Sequence, residues 1–272
     1  MCVVVLPPMF KGFRYLRTLD LQNVNLTDDA LESLISNSPL LERLILEFFN
    51  CSSLRINAPN LHYFSFYGIL GDVIFKDTSL LSTVCINLDA VIKDHKNGQL
   101  IDFISSLPRI KRLTMDTDFL EYLAKDIVPG NLPVESVCMK LKFLSMEINF
   151  RSPKEILAAL CVLGCAPKLR TLEILVSNSA QVSKSVEEPK IDILQGPDYL
   201  SSTFNHLEYV EISGVSGLKP ELEFIEVLLA NAVVLVDMTI KLWKGYEGSE
   251  ISKELLQFRR ASPQAKIIYL DH

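Results

Sequence analysis

Cys161 and Cys165 stand four residues apart in an apolar stretch. That spacing puts two thiols on one face of a helix, where they could grip a metal ion or cycle as a dithiol pair. A closed metal site needs a second pair of ligands, and nothing at matching spacing supplies one. Cysteine is among the most buried residue types, so core packing is the preferred reading of both. His62, His95, His206 and His272 lie far apart, and none falls in a metal or nucleophile motif such as HExxH or GxSxG. The sequence therefore assigns no catalytic residue, no metal ligand and no cofactor, and the chain is read as a non-enzyme.

A different chemistry, recognition, is open to Arg43, Tyr63, Tyr67, Arg112, Phe143, Glu173, Tyr209 and Glu211, because these are large aromatic or charged side chains at one phase of a repeat. The repeat is the apolar phrase LxxLxL. It opens at Leu16, Leu41, Leu61, Leu81, Ile110, Leu141, Leu169, Leu207, Leu235 and, degenerately, Ala265. Successive openings are 25, 20, 20, 29, 31, 28, 38, 28 and 30 residues apart. Most of these intervals fall in or near the leucine-rich-repeat range of about 20 to 29 residues, which predicts stacked rungs, each too small to bury its own apolar face. Pro39, Pro59, Pro108, Pro167 and Pro263 each precede a phrase by two residues, where a fixed φ and a missing N–H end the preceding helix or turn.

The predicted fold is α/β, a leucine-rich-repeat solenoid with a curved parallel sheet on the concave side and helices and short strands on the convex side. Helical faces are read at Leu31, Leu34 and Ile35, at Leu100, Phe103, Ile104 and Leu107, and at Leu120, Leu123 and Ile127. Others are Ile225, Leu228 and Leu229 behind Pro220, and Ile251, Leu255 and Phe258. The clearest runs from Ser152 to Gly164, with Ser152 as N-cap, Pro153 at the first helical position, Glu155 closing a capping box and Gly164 as the stop. Two successive intervals of 20 leave little room for a helix. The apolar pairs Leu54/Ile56 and Val73/Phe75 there predict a second short strand behind the first. Residues 1–176 are read as leucine-rich repeats with an incomplete first rung, 177–189 as a flexible polar loop, and 190–272 as C-terminal repeats continuing the solenoid.

Alternate strand residues point away from the core, so the third, fifth and seventh positions of each phrase form an outward wall. That wall carries Asp20, Glu47, Asp116, Glu147, Glu173, Glu211, Asp237 and Asp271 against Arg43, Arg112 and Lys241, with Tyr63, Tyr67, Phe143, Tyr209 and Tyr269 set into it. Trp243 reads either as an exposed contact or, by preference, as a plug over the end of the ninth rung. The balance of 27 Lys plus Arg against 33 Asp plus Glu, with no basic run, argues against nucleic acid as partner. No apolar run approaches the roughly 18 to 20 residues of a membrane span. Cys2, Cys51, Cys85, Cys138, Cys161 and Cys165 lack the spacing of a disulfide framework, which points to a reducing compartment inside the cell, cytoplasmic or nuclear.

The run FKGFRYLRTLDLQNVNLTDDALESLISNSPLLERLILEFFNCSSLRINAPNLHYFSFYG, Phe10 to Gly68, resembles the repeat region of plant F-box/FBD/LRR-repeat proteins. FNHLEYVEISG, Phe204 to Gly214, and LLQFRRASPQAKIIYL, Leu255 to Leu270, are similar to the FBD domain that ends those chains. The resemblance implies a substrate receptor of an SCF-type ubiquitin ligase, in which an F-box holds the SKP1 adaptor and its cullin while the concave repeat face holds a protein target. The F-box itself is read as missing, since Leu6-Pro7-Pro8 is no substitute for that helical module. SKP1 and cullin are thus expected only if an F-box lies upstream. The alternatives are an interaction scaffold without ligase linkage and a small-ligand receptor relying on Arg43, Arg112 and Lys241.

Overall fold

Among the described residues, rungs start at a turn closed by the first residue of the phrase. In the structure, a computed structural model that describes residues 2–3, 7, 10–89, 100–107, 109–124, 140–177, 204–244 and 248–270, the N–H of Leu41 donates to the carbonyl of Ser38 at 3.0 Å. Leu61 donates to Ala58 at 3.1 Å, Leu81 to Thr78 at 3.0 Å and Leu169 to Ala166 at 3.0 Å. Pro39, Pro59 and Pro167 are thereby the second residues of four-residue turns, where their preset φ is wanted and no N–H is needed. Pro263 takes the same place between Ser262 and Ala265. The prolines therefore launch strands as well as ending what precedes them. Pro108 lies outside the described residues.

The chain divides into two compact units, Met1–Asp126 and Ile127–His272. The first contains β1 (Cys2–Val3), β2 (Thr18–Gln22), β3 (Val24–Asn25), α1 (Asp28–Ser36), β4 (Arg43–Asn57), β5 (Tyr63–Lys76), β6 (Thr83–Leu88), α2 (Leu100–Ser106), β7 (Arg112–Met115) and α3 (Thr117–Leu123). Here β2, β4, β5, β6 and β7 lie side by side in chain order, all parallel, with Leu19, Leu44, Phe64, Val84 and Leu113 in register across them. β1 and β3 form a separate parallel pair. The second unit contains β8 (Phe143–Ile148), α4 (Pro153–Gly164), β9 (Thr171–Val176), β10 (Tyr209–Val215), α5 (Lys219–Asn231), β11 (Asp237–Leu242), α6 (Gly248–Gln257) and β12 (Lys266–Leu270). Its strands run parallel too, with Leu144, Leu172, Val210, Met238 and Ile267 side by side. Up to the ninth phrase, the phrase leucines of both units are buried, except Leu16 and Leu21 of the first rung, which are half-buried. The architecture is the α/β leucine-rich-repeat fold that the phasing predicts.

Three details depart from the sequence reading. First, the short second strands of the helix-free rungs are not separate: β4 and β5 each continue without a break, paired in parallel along their length. In β4 the buried side chains change parity twice, from Leu44 and Leu46 to Phe49 and Cys51, then to Leu54 and Ile56. Each change turns a corner, and the first coincides with a register shift at Glu47/Phe49. The eighth residue of the phrase sits in the left-handed region in four rungs, Asn23 (φ 53°), Phe48 (φ 54°), Gly68 (φ 146°) and Gly214 (φ 81°).

Second, the carboxylates of α1 do more than open the helix. Asp28 accepts from the backbone N–H groups of Ser52 and Ser53 at 3.0 Å each, and Glu32 accepts from Arg55 at 3.1 Å. Backbone donors at the far end of β4 are thereby satisfied by side chains rather than by a neighbouring strand. Thr27 caps α1, its hydroxyl oxygen accepting from Ala30. In α4, Ser152 caps as predicted, but Glu155 reaches further back than a capping box does and accepts from the Asn149 N–H at 3.0 Å.

Third, the degenerate tenth phrase is displaced by one residue. Tyr269 aligns with buried Ile240, and Ile268 aligns with outward Thr239. A one-residue slip exchanges the two faces of a strand, so Tyr269 belongs to the core side and leaves the outward wall. Its hydroxyl is buried without a hydrogen-bond partner among the described residues. Asp271 and the loop from 178 onward lie outside the described residues.

Candidate functional site

The outward wall follows from the registers already given, and it can be described unit by unit. In the first unit the third-position row is Thr18, Arg43, Tyr63, Thr83 and Arg112, and the seventh-position row includes Gln22, Glu47, Tyr67 and Asn87. The Arg43 guanidinium lies 4.1 Å from the centroid of the Tyr63 ring, a cation–π contact between adjacent rungs. Tyr67 meets Phe48 edge to face, with centroids 5.0 Å apart and planes at 90°. The Asp89 N–H donates to the Gly68 carbonyl at 2.8 Å, beside Tyr67, and the hydrogen-bonding carboxylate and negative charge of Asp89 raise the Tyr67 phenol above its ordinary value. Arg112 is exposed at the far end of the third-position row.

In the second unit Phe143, Thr171, Tyr209 and Asp237 share one row, and Ser145, Glu173, Glu211 and Thr239 share another. Tyr209 is 46% exposed. Glu211 forms an ion pair with Lys241 on the neighbouring strand, so neither is a solitary charge. Such a half-exposed pair is worth on the order of 1 kcal/mol or less.

Two members of the wall have other duties. Asp116 is the N-cap of α3, accepting from Phe119 at 2.9 Å and from the Leu88 N–H, which ties β6 to that helix. Trp243 is not a plug: it is 44% exposed, beside Gly214, where an added Cβ would lie 3.5 Å from its ring. Sequence reasoning missed Phe48, Asp89 and Leu175. Phe48 is exposed because the bulge reverses side-chain parity, so of Phe48 and Phe49 only the second enters the core. The pair FF carries no signal of which ring turns inward. Asp89 lies just past the end of β6, beyond the positions counted as wall. Leu175 fits the outward phase at a seventh position and is exposed.

The cysteine pair is structural. Cys161 and Cys165 are both buried, because α4 buries residues on more than one face. A hydrogen bond between the two thiols pushes Cys165 up, burial adding to the rise, and pulls Cys161 down against its burial. Burial, reinforced by Asp28, raises Cys51 to about 12, far from the thiolate that redox or metal chemistry needs. Among the described residues no group of three or more His, Cys, Asp or Glu could hold a metal ion. No described helix is long and apolar enough to cross a membrane. A cleft of about 250 Å³ in the first unit is lined by Phe75, Asp77, Leu81, Leu107 and Arg109. None of the cations on which small-ligand binding would rely, Arg43, Arg112 and Lys241, lines it.

Residues 2–174 match the family described as FBD-associated F-box protein At5g56370, LRR repeats, and residues 203–240 match FBD. The chain is 31% identical over 271 residues to the F-box/FBD/LRR-repeat protein At1g13570 of Arabidopsis thaliana, a match that covers 97% of this chain and 64% of that protein. It is 25% identical to F-box/LRR-repeat protein 13 of the same plant, again over 97% of this chain and 64% of the relative. With the putative F-box/FBD/LRR-repeat protein At5g44960 it shares 25% identity over 97% of this chain and 58% of the relative. The chain thus spans less than two thirds of the length of these relatives. No solved structure matches it. Its repeat phrase, its parallel ladders and the matched repeat and FBD segments agree: the chain belongs to the leucine-rich-repeat family of FBD-associated F-box proteins.

Proposed function

We propose that the chain is a protein-recognition module whose outward strand faces hold a protein partner, as in the substrate-receptor part of an SCF-type ubiquitin ligase. The observation that carries this reading is the row of exposed and half-exposed aromatics on strand faces whose opposite sides are fully committed to the core: Tyr63 and Tyr67 in the first unit, Phe143 and Tyr209 in the second. Rigid rings on a fixed backbone lose little entropy when a partner covers them, which is why such residues dominate binding energy at protein interfaces. Arg43, Arg112, Glu173 and Glu211 set the charge pattern around them. The ligase connection draws on the F-box in the names of the relatives; without it the same surface serves an interaction scaffold.

The test is affinity capture from plant extract with the wild-type chain and with a Tyr63→Ala plus Tyr209→Ala variant, one change on each unit's face. The expected result is loss of the specific partners, with unchanged circular dichroism and melting. If every specific partner stays bound to the variant, the wall is not the binding surface.

A further inference from the structure

The wall of the first unit contains a right-angled aromatic corner, and its surroundings specify what fits there. Phe48 and Tyr67 meet edge to face, with planes at 90° and centroids 5.0 Å apart, so the edge of one ring stands on the face of the other and the angle between them is walled by aromatic surface. Ring faces carry the negative end of the aromatic quadrupole. Phe48 is 59% exposed and is held outward by a left-handed backbone (φ 54°). Asn23, Gly68 and Gly214 occupy the equivalent place in other rungs. Of these four, Phe48 is the one bulky side chain, held in a region that such residues rarely adopt.

The charged residues placed beside the corner among the described residues are acidic. Glu47 precedes Phe48 in the chain and is in register with Tyr67. The backbone N–H of Asp89 donates to the carbonyl of Gly68 at 2.8 Å, next to Tyr67, and the negative charges of Asp89 and Asp116 both act on that phenol. Asp118 is close enough to Asp89 that its carboxyl is raised, first by burial and then by that neighbour. Among the described residues no lysine or arginine forms an ion pair with Glu47, Asp89 or Asp118. At the third position of the same two rungs the fold supplies its own cation, with Arg43 over Tyr63. Among the described residues no such cation covers Phe48 or Tyr67.

We propose that the Phe48–Tyr67 corner, rimmed by Glu47 and Asp89, is a pocket for an arginine side chain presented by the partner protein. The guanidinium stacks in the corner against the ring faces, where its charge meets their quadrupoles, and donates N–H groups toward the rim carboxylates. This rests on the reading of the wall as a protein-binding surface and adds the chemistry of the contact: an exposed arginine in a flexible or extended segment.

The probe is the capped peptide Gly-Gly-Arg-Gly-Gly, compared with the same peptide carrying neutral citrulline. Both are titrated into the whole chain labelled at phenylalanine and tyrosine, with NMR as readout. The arginine peptide is expected to shift the Phe48 and Tyr67 ring signals and the citrulline peptide to leave them in place. The Phe48→Leu variant should weaken binding about two- to fivefold, the range for an exposed cation–π contact. Asp89→Asn should weaken it separately, and added salt should weaken it further. Equal shifts with citrulline, or no shift at either ring, would overturn the proposal. If the peptide fails while the double tyrosine variant loses its partners, the arginine pocket falls and the wall stands. If the peptide binds and the variant keeps its partners, the wall reading falls and the pocket stands.

Discussion

Glu221 shows how a single side chain organises the end of a rung. It is buried at the third position of α5, where one carboxylate oxygen accepts from the N–H groups of Ser216 at 2.8 Å, Gly217 at 2.9 Å and Leu218 at 3.2 Å. The other accepts from the Ser216 hydroxyl at 2.9 Å. Glu155 holds the same helical position in α4 and answers Asn149. In both rungs the turn from strand to helix is tied by a carboxylate from inside the helix. Burial raises the Glu221 carboxyl above its ordinary value, against the opposing pull of those hydrogen bonds. A folded-state value above the unfolded one means that folding takes up protons. The resulting stabilisation is therefore fully present below the unfolded value of about 4.3 and is lost as pH rises through the folded value. Glu221→Gln keeps an acceptor and removes the titration. The difference in melting temperature between wild type and variant, measured from about pH 4 to pH 7, should thus move against the wild type as pH rises. A difference independent of pH would show that the group does not titrate in this window.

At the scale of the element, the eighth position of the phrase decides how a strand leaves the sheet. At Gly68 an added Cβ would stand 2.1 Å from the Phe49 carbonyl oxygen, with φ at +146°. At Gly214 the nearest atom is 3.1 Å away. Gly68→Ala should therefore cost at least about 1–3 kcal/mol, and more than Gly214→Ala, in paired denaturant titrations. Equal costs would mean that β4 yields easily at the bulge. These elements also mark the limit of what pattern alone can reveal. The strands were legible because period-two alternation distinguishes faces at single-residue resolution, and Leu44, Phe64, Val84 and Leu172 all lie where the phrase puts them. The same resolution makes the reading fragile where the anchor is poor. Ala265 is too weak a mark, and the slip carried Tyr269 to the wrong face. A bulge changes parity without a signature in residue type, so Phe48 was invisible as an outward ring. The aromatic row could be foreseen from spacing, whereas the acidic rim at Asp89 arises from where one rung's end meets the previous rung.

Across the whole molecule, stability is distributed as rung and neighbour terms, since each phrase residue packs chiefly on the strands beside it. Leu172 is fully buried in β9, in register with Leu144 on one side and Val210 on the other. Leu172→Ala should destabilise the second unit by about 2–5 kcal/mol. Hydrogen exchange should quicken most in β8, β9 and β10. Uniform loss of protection throughout the chain would instead indicate one all-or-none transition. The proline turn has a further consequence for how such a chain diversifies. Nine of the ten phrases open on a hydrogen bond between residues three apart among the described residues, whatever length of chain came before, and the intervals between openings run from 20 to 38 residues. Insertions and deletions placed between rungs are absorbed without altering which side chains face outward, whereas one residue gained within a strand inverts the surface beyond it. Changes of length are therefore cheapest in the connecting segments, and the outward strand face is altered one position at a time by substitution.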